Sequence, residues 1–219
     1  MTVPVVLEIG AKRTFASALA WPGWCRAGRD EDAALDALLS YGPRYRAVVA
    51  GVVPGFTIPR SAAALEIAER LPGNASTDFG APGIPPSEDA DPPTTGELRR
   101  LQAILVACWT AFDRVADAAD GHALRVGPRG GGRDLRKIRG HVLEAEVAYL
   151  GSLGGSARRG ADDARARAAF LEALRARARG ELPEVGPRGG RRWSTRYAIR
   201  RSAWHTLDHA WEIEDRVET

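Results

Sequence analysis

At 219 residues, with 44% hydrophobic and 27% charged side chains, the chain is ordinary for a globular protein and long enough for one large domain or two small ones. No apolar run approaches the ~20 residues of a membrane span, so no membrane partner is expected. A formal charge of +3 argues against nucleic acid as a partner, and the two cysteines, Cys25 and Cys108, make neither a disulfide framework nor a ligand spacing.

Residues 3–9 form a β-branched apolar run ended by Gly10, and residues 14–21 alternate well enough for a second strand. A hairpin is therefore expected around residues 10–13. The opening MTVPVVLEIG has neither a basic region nor a signal-type apolar core, which argues for the cytoplasm. WPGWCRAG (residues 21–28) reads as a turn on Pro22, Gly23 and Gly28, with Cys25 open to solvent on it. Asp30 is an N-cap for a helix over residues 31–41, whose Ala34, Leu35, Leu38 and Leu39 are apolar. Residues 43–50 are helical or extended, and residues 61–71 read as a strand or a short helix. Residues 73–95 are too rich in proline, glycine and acids to sustain a helix or strand, and read as a domain linker.

Four long helices are expected beyond it. Thr94 or Thr95 caps the first, over residues 96–119, with Leu101, Leu105, Cys108, Phe112 and Val115 on one broad face. Asp134 caps the second, to residue 153, with Ile138, Val142 and Tyr149 inward and His141 among them. Asp162 opens the third, to residue 179, with Ala166, Phe170 and Leu174 inward. Residues 183–190 break it, and Ser194 or Thr195 caps the fourth, which runs to residue 217. Four helices of similar length make a bundle, so the chain as a whole is α+β.

The fourth helix carries the chemistry. His205 and His209 are four apart, so their rings leave one face a turn apart, within reach of a single ion. Such a pair is also common on helices that bind nothing. A third histidine on another helix, His141, raises the metal reading in a chain with only four. His122 falls in a loop. At ~1.5 Å per residue the three histidines lie at one depth whether their helices run parallel or antiparallel. Trp204, Trp211, Asp208 and Glu212 flank the pair and are candidates for a dry wall and for groups that hold the ligands from behind.

WHTLDHAWEIEDR, with a lone helical histidine about sixty residues upstream, resembles the closing helix of the DinB/YfiT-like superfamily. The resemblance covers residues 94–219. It implies an up-down-down-up four-helix bundle with a divalent metal, Zn, Ni or Fe, on His141, His205 and His209. It also implies thiol chemistry: S-transfer or isomerisation with a low-molecular-weight thiol such as mycothiol or bacillithiol, on a small-molecule substrate, in a homodimer. FASALAWPGWCRAGRDEDAALDALLSY resembles HicB-like domains, small βαβ units of partner-binding proteins. The implied organisation is a HicB-like α/β domain over residues 1–75, a linker over 76–93 and a DinB-like bundle over 94–219.

Two function classes compete. One is a metal-dependent S-transferase or hydrolase; the other is a binding or regulatory protein with a HicB-like recognition domain and a structural or vestigial metal. Three histidines without a carboxylate suit a site with open positions, whereas a structural zinc has four closed ligands, for which Cys108 is the candidate fourth. Residues 1–90 carry 8 basic and 10 acidic side chains and residues 91–219 carry 23 and 18, net −2 against +5. The excess lies in two glycine-rich runs, residues 126–140 and 185–201, which read as solvated loops or as arginines for an anionic substrate. The sequence names no catalytic and no substrate-binding residue.

Overall fold

Val3–Ile9 (β1) is the strand around which the N-terminal part assembles. It pairs antiparallel with Thr14–Ala18 (β2), Val5 opposite Ala18 and Ile9 opposite Thr14, and parallel with Leu65–Pro72 (β4). Cys25–Gly28 (β3) adds to the outer side of β2, giving the order β3-β2-β1-β4. Between β3 and β4 run helices Glu31–Ser40 (α1) and Gly42–Val49 (α2). These coordinates are a computed structural model that describes residues 2–126, 132–158 and 160–218.

Both faces of the sheet are covered, which is why β1 is apolar at successive positions from Val3 to Leu7. Val5, Leu7, Ala16 and Ala18 pack with Ala34, Leu38, Trp24 and Tyr45. Phe15 and Cys25, on the opposite face, pack against Trp204 of the last helix. The segment read as a turn over residues 21–28 is thus half strand. The reversal is finished by Gly23, at φ 94°, where an added Cβ would sit 3.0 Å from Leu207 and 3.3 Å from the Cys108 sulfur. Cys25 is therefore buried on β3, not exposed, and burial raises its thiol to about 12.

The four long helices are Thr95–Ala118 (α4), Leu135–Leu153 (α5), Asp163–Ala178 (α6) and Thr195–Arg216 (α7). Their starts follow from side-chain caps. Thr94 and Glu97 form a reciprocal capping box, and Asp134, Asp162 and Ser194 each accept from the backbone N–H three residues on. α4 and α7 run the same way, since Arg196 meets Glu97 near their starts and Leu124 bridges to Val217 beyond their ends. α5 runs against α7: Trp193 N–H donates to Ser152 O at one end, and Arg216 donates to Arg133 O at the other. α6 runs against α4, with Gln102 donating to Leu171 O and Arg167 paired to Asp113. The order is up-down-down-up.

The proline-rich stretch before α4 contains a five-residue helix, Ala75–Phe79 (α3), stopped by Gly80 in the left-handed region. It is fastened on both sides. The buried Glu8 carboxylate of β1 accepts from Thr77 Oγ1 at 2.5 Å and from the N–H groups of Gly83 and Ile84 at 3.0 Å. From α7, Arg200 pairs with the fully buried Asp89 at 2.8 Å, and Tyr197 donates to Gly83 O at 2.9 Å. One apolar core runs without a break from Val5 and Leu38 through Leu105 and Cys108 to Leu207. Among the described residues no helix is long and apolar enough to cross a membrane.

Candidate metal centre

His141 lies on α5 and His205 and His209 lie on α7, on the sides by which these two antiparallel helices touch. One donor nitrogen from each falls within 4.8 Å of the other two. The Nε2 atoms of His141 and His205 are 3.2 Å apart. A tetrahedral ion with N ligands at about 2.05 Å sets its donors roughly 3.3 Å apart, so this spacing suits one ion between them. His205 and His209 are buried, and His141 is half-buried.

Ligation requires neutral imidazoles, and the surroundings of His205 and His141 favour that form. Burial pushes the His205 imidazole down to about 2, with the other two histidines, Arg201 and Arg133 acting in the same direction. Burial and Arg133 also lower His141. Glu212 approaches His209 Nδ1 at 2.7 Å, which directs the other ring nitrogen toward the cluster. That hydrogen bond, and the Arg216 guanidinium beyond it, hold the Glu212 carboxyl below its ordinary range.

The tryptophans and Asp208 are placed differently from the sequence reading. Asp208 pairs with Arg26 of β3 at 3.0 Å. Trp204 stands edge-on to Phe15 at 6.0 Å between ring centroids, and Trp211 lies 5.0 Å from Tyr41. All three face the sheet side. Successive residues on an α-helix diverge by about 100°, so the immediate neighbours of the histidines point elsewhere, while Glu212, three beyond His209, stays on their face. On the α5 side the aromatic neighbour of the cluster is Tyr149, its ring 5.7 Å from that of His205 and backed by Trp193 at 5.1 Å, while the ring of Trp204 lies 6.1 Å from that of His205.

Cys108 is absent from the histidine group, since it packs in the shared core beside Gly23. His122 is exposed in the connection after α4. Of the first basic run, residues 127–131 lie outside the described residues. The second is largely consumed internally: Arg192 donates to Gly151 O, Arg196 to Asp91 O, Arg200 to Asp89, and Arg201 to Pro82 O. Arg216 escaped the sequence reading, although its place four residues after Glu212 is the spacing at which a helical carboxylate meets a guanidinium.

Comparison with known proteins adds no relative: no family model, no curated protein and no solved structure matches this chain.

Proposed function

We propose that the chain is a metal-dependent enzyme of the DinB/YfiT-like kind, holding one divalent cation, Zn, Ni or Fe, on His141, His205 and His209. The observation that supports this most is the convergence of three ring nitrogens from two helices within 4.8 Å. The up-down-down-up order of α4 to α7 agrees with that resemblance. A bound cation of this class supplies Lewis acidity, enough to make a nucleophile of a water or thiol at neutral pH. The chain's own part is to hold three imidazoles in one orientation, to wall one side with Tyr149 and Trp193, and to leave the half-buried His141 side as the approach. The absence of Cys108 from the group favours a site with an open position over a closed structural one. By the same resemblance the substrates are a low-molecular-weight thiol, such as mycothiol or bacillithiol, and a small electrophile; hydrolysis is the neighbouring reaction class. A cytoplasmic homodimer belongs to this reading.

The burial of His205 and His209 favours a second reading, a binding or regulatory protein in which the metal is structural. One experiment separates the two. Metal-loaded protein is screened with thiols against simple electrophiles and esters, before and after chelation. Turnover that chelation abolishes while the helical signal persists supports the enzyme; no turnover, with unfolding on chelation, supports the structural role.

A further inference from the structure

Arg216, in the last turn of α7, is buried, and its guanidinium makes three directed contacts. Nη1 donates to Glu212 Oε1, Nε donates to Arg125 O at 2.9 Å, and Nη2 donates to Arg133 O at 3.0 Å. The carboxylate's other oxygen faces His209 Nδ1 at 2.7 Å. One side chain therefore joins the carboxylate behind a histidine to two carbonyls from the chain between α4 and α5. The neighbouring backbone is zipped as well: Arg125 N–H donates to Arg216 O at 2.7 Å, and Glu218 N–H donates to Ala123 O at 2.9 Å.

From these contacts we infer that Arg216 is a positioning residue for the metal centre, acting through Glu212 on His209. The inference rests on the metal reading above. A carboxylate with one oxygen fixed by an N–H of a guanidinium that is itself held at its other two nitrogens has little freedom to turn, so its second oxygen holds the imidazole in one tautomer and one orientation. The guanidinium is itself fixed by the two carbonyls, which makes the orientation of His209 depend on the packing of residues 123–125 and 133 against the end of α7. A staple that merely closed the α4–α5 connection would need the carbonyl contacts but not the carboxylate between Arg216 and the histidine.

Cobalt(II) titration of the metal-free full-length protein, followed by visible absorption, tests this. Glu212→Gln is expected to weaken cobalt binding about 10- to 100-fold, the usual effect of removing a partner behind a ligand. Arg216→Gln is expected to weaken it about tenfold or more and to shift the cobalt spectrum in the same sense as Glu212→Gln. Because the two act in series, the double variant should bind no more weakly than Glu212→Gln alone. If Arg216→Gln does not fold, Arg216→Lys keeps a cation beside Glu212 without spanning both carbonyls, and should lose affinity by a smaller factor, about threefold. Folded Arg216 variants with wild-type affinity and spectrum overturn the inference alone, as do losses that multiply in the double variant. A wild-type protein that takes up no cobalt overturns the metal reading and this inference with it.

Discussion

Arg26 of β3 and Asp208 of α7 form an ion pair at 3.0 Å, and that pair faces Asp208 to the sheet although His209 is the very next residue. The last helix thus serves two neighbours: one side carries the histidines toward α5, the other carries Trp204, Asp208 and Trp211 toward β3 and α1.

Asp208→Asn should accordingly leave metal affinity within about twofold of wild type. Its side chain is 40% exposed, so lost pairing should cost no more than about 1 kcal/mol of stability. Metal titration and urea unfolding of the one variant check both. A large loss of affinity would return Asp208 to the centre.

Asp89 tests the fastening of the proline-rich stretch. Its side chain is fully buried and is the partner of an Arg200 side chain only 11% exposed. Asp89→Ala leaves that guanidinium facing the carbonyls of Ala18 and Leu19, with its buried counter-charge gone and only the exposed Glu88, at 3.4 Å, as an acidic partner. The expected destabilisation is about 3–5 kcal/mol by urea unfolding, the usual result of stranding a buried charge. A change below about 1 kcal/mol would show that residues 82–91 contribute little to holding the sheet to α7.

Acid sensitivity of the metal-free protein should trace in part to His205. Its folded value is depressed to about 2, against an ordinary 6.5. Below pH 6.5 the unfolded chain therefore gains a proton that the folded chain refuses, and stability falls as the pH falls. That single group contributes a slope of at most about 1.4 kcal/mol per pH unit between pH 6 and 4. His205→Leu should unfold with a slope shallower by one proton over that range, measured by urea unfolding at several pH values. Parallel slopes would mean that the folded protein accepts the proton at His205.

The start of each long helix was legible because capping is local: Thr94, Asp134, Asp162 and Ser194 each announce a helix within three residues of sequence. His141, His205 and His209 were legible for a related reason, scarcity plus a four-residue spacing. Their meeting depended on helix directions, which side-chain depth alone left open. What the sequence hid was long-range. β3 escaped because four residues after a proline–glycine turn carry no periodicity, and their strand character comes from pairing with β2. The fixing of residues 73–95 escaped because a single buried acid, Glu8, and the arginines of α7 supply the partners that the segment lacks within itself. Proximity in sequence does not show which way Asp208 and Trp211 face, because on a helix the adjacent residue turns away: Asp208 meets Arg26 and Trp211 meets Tyr41.

The central claim is that His141, His205 and His209 hold one divalent ion, and elemental analysis of anaerobically purified, reconstituted protein is its most direct test. The account predicts close to one equivalent of Zn, Ni or Fe per chain. His205→Ala should lose most of it, because two imidazoles make a far weaker site than three, and His122→Ala should retain it. Reconstituted wild-type protein without metal, or His205→Ala protein that keeps a full equivalent, would contradict the account.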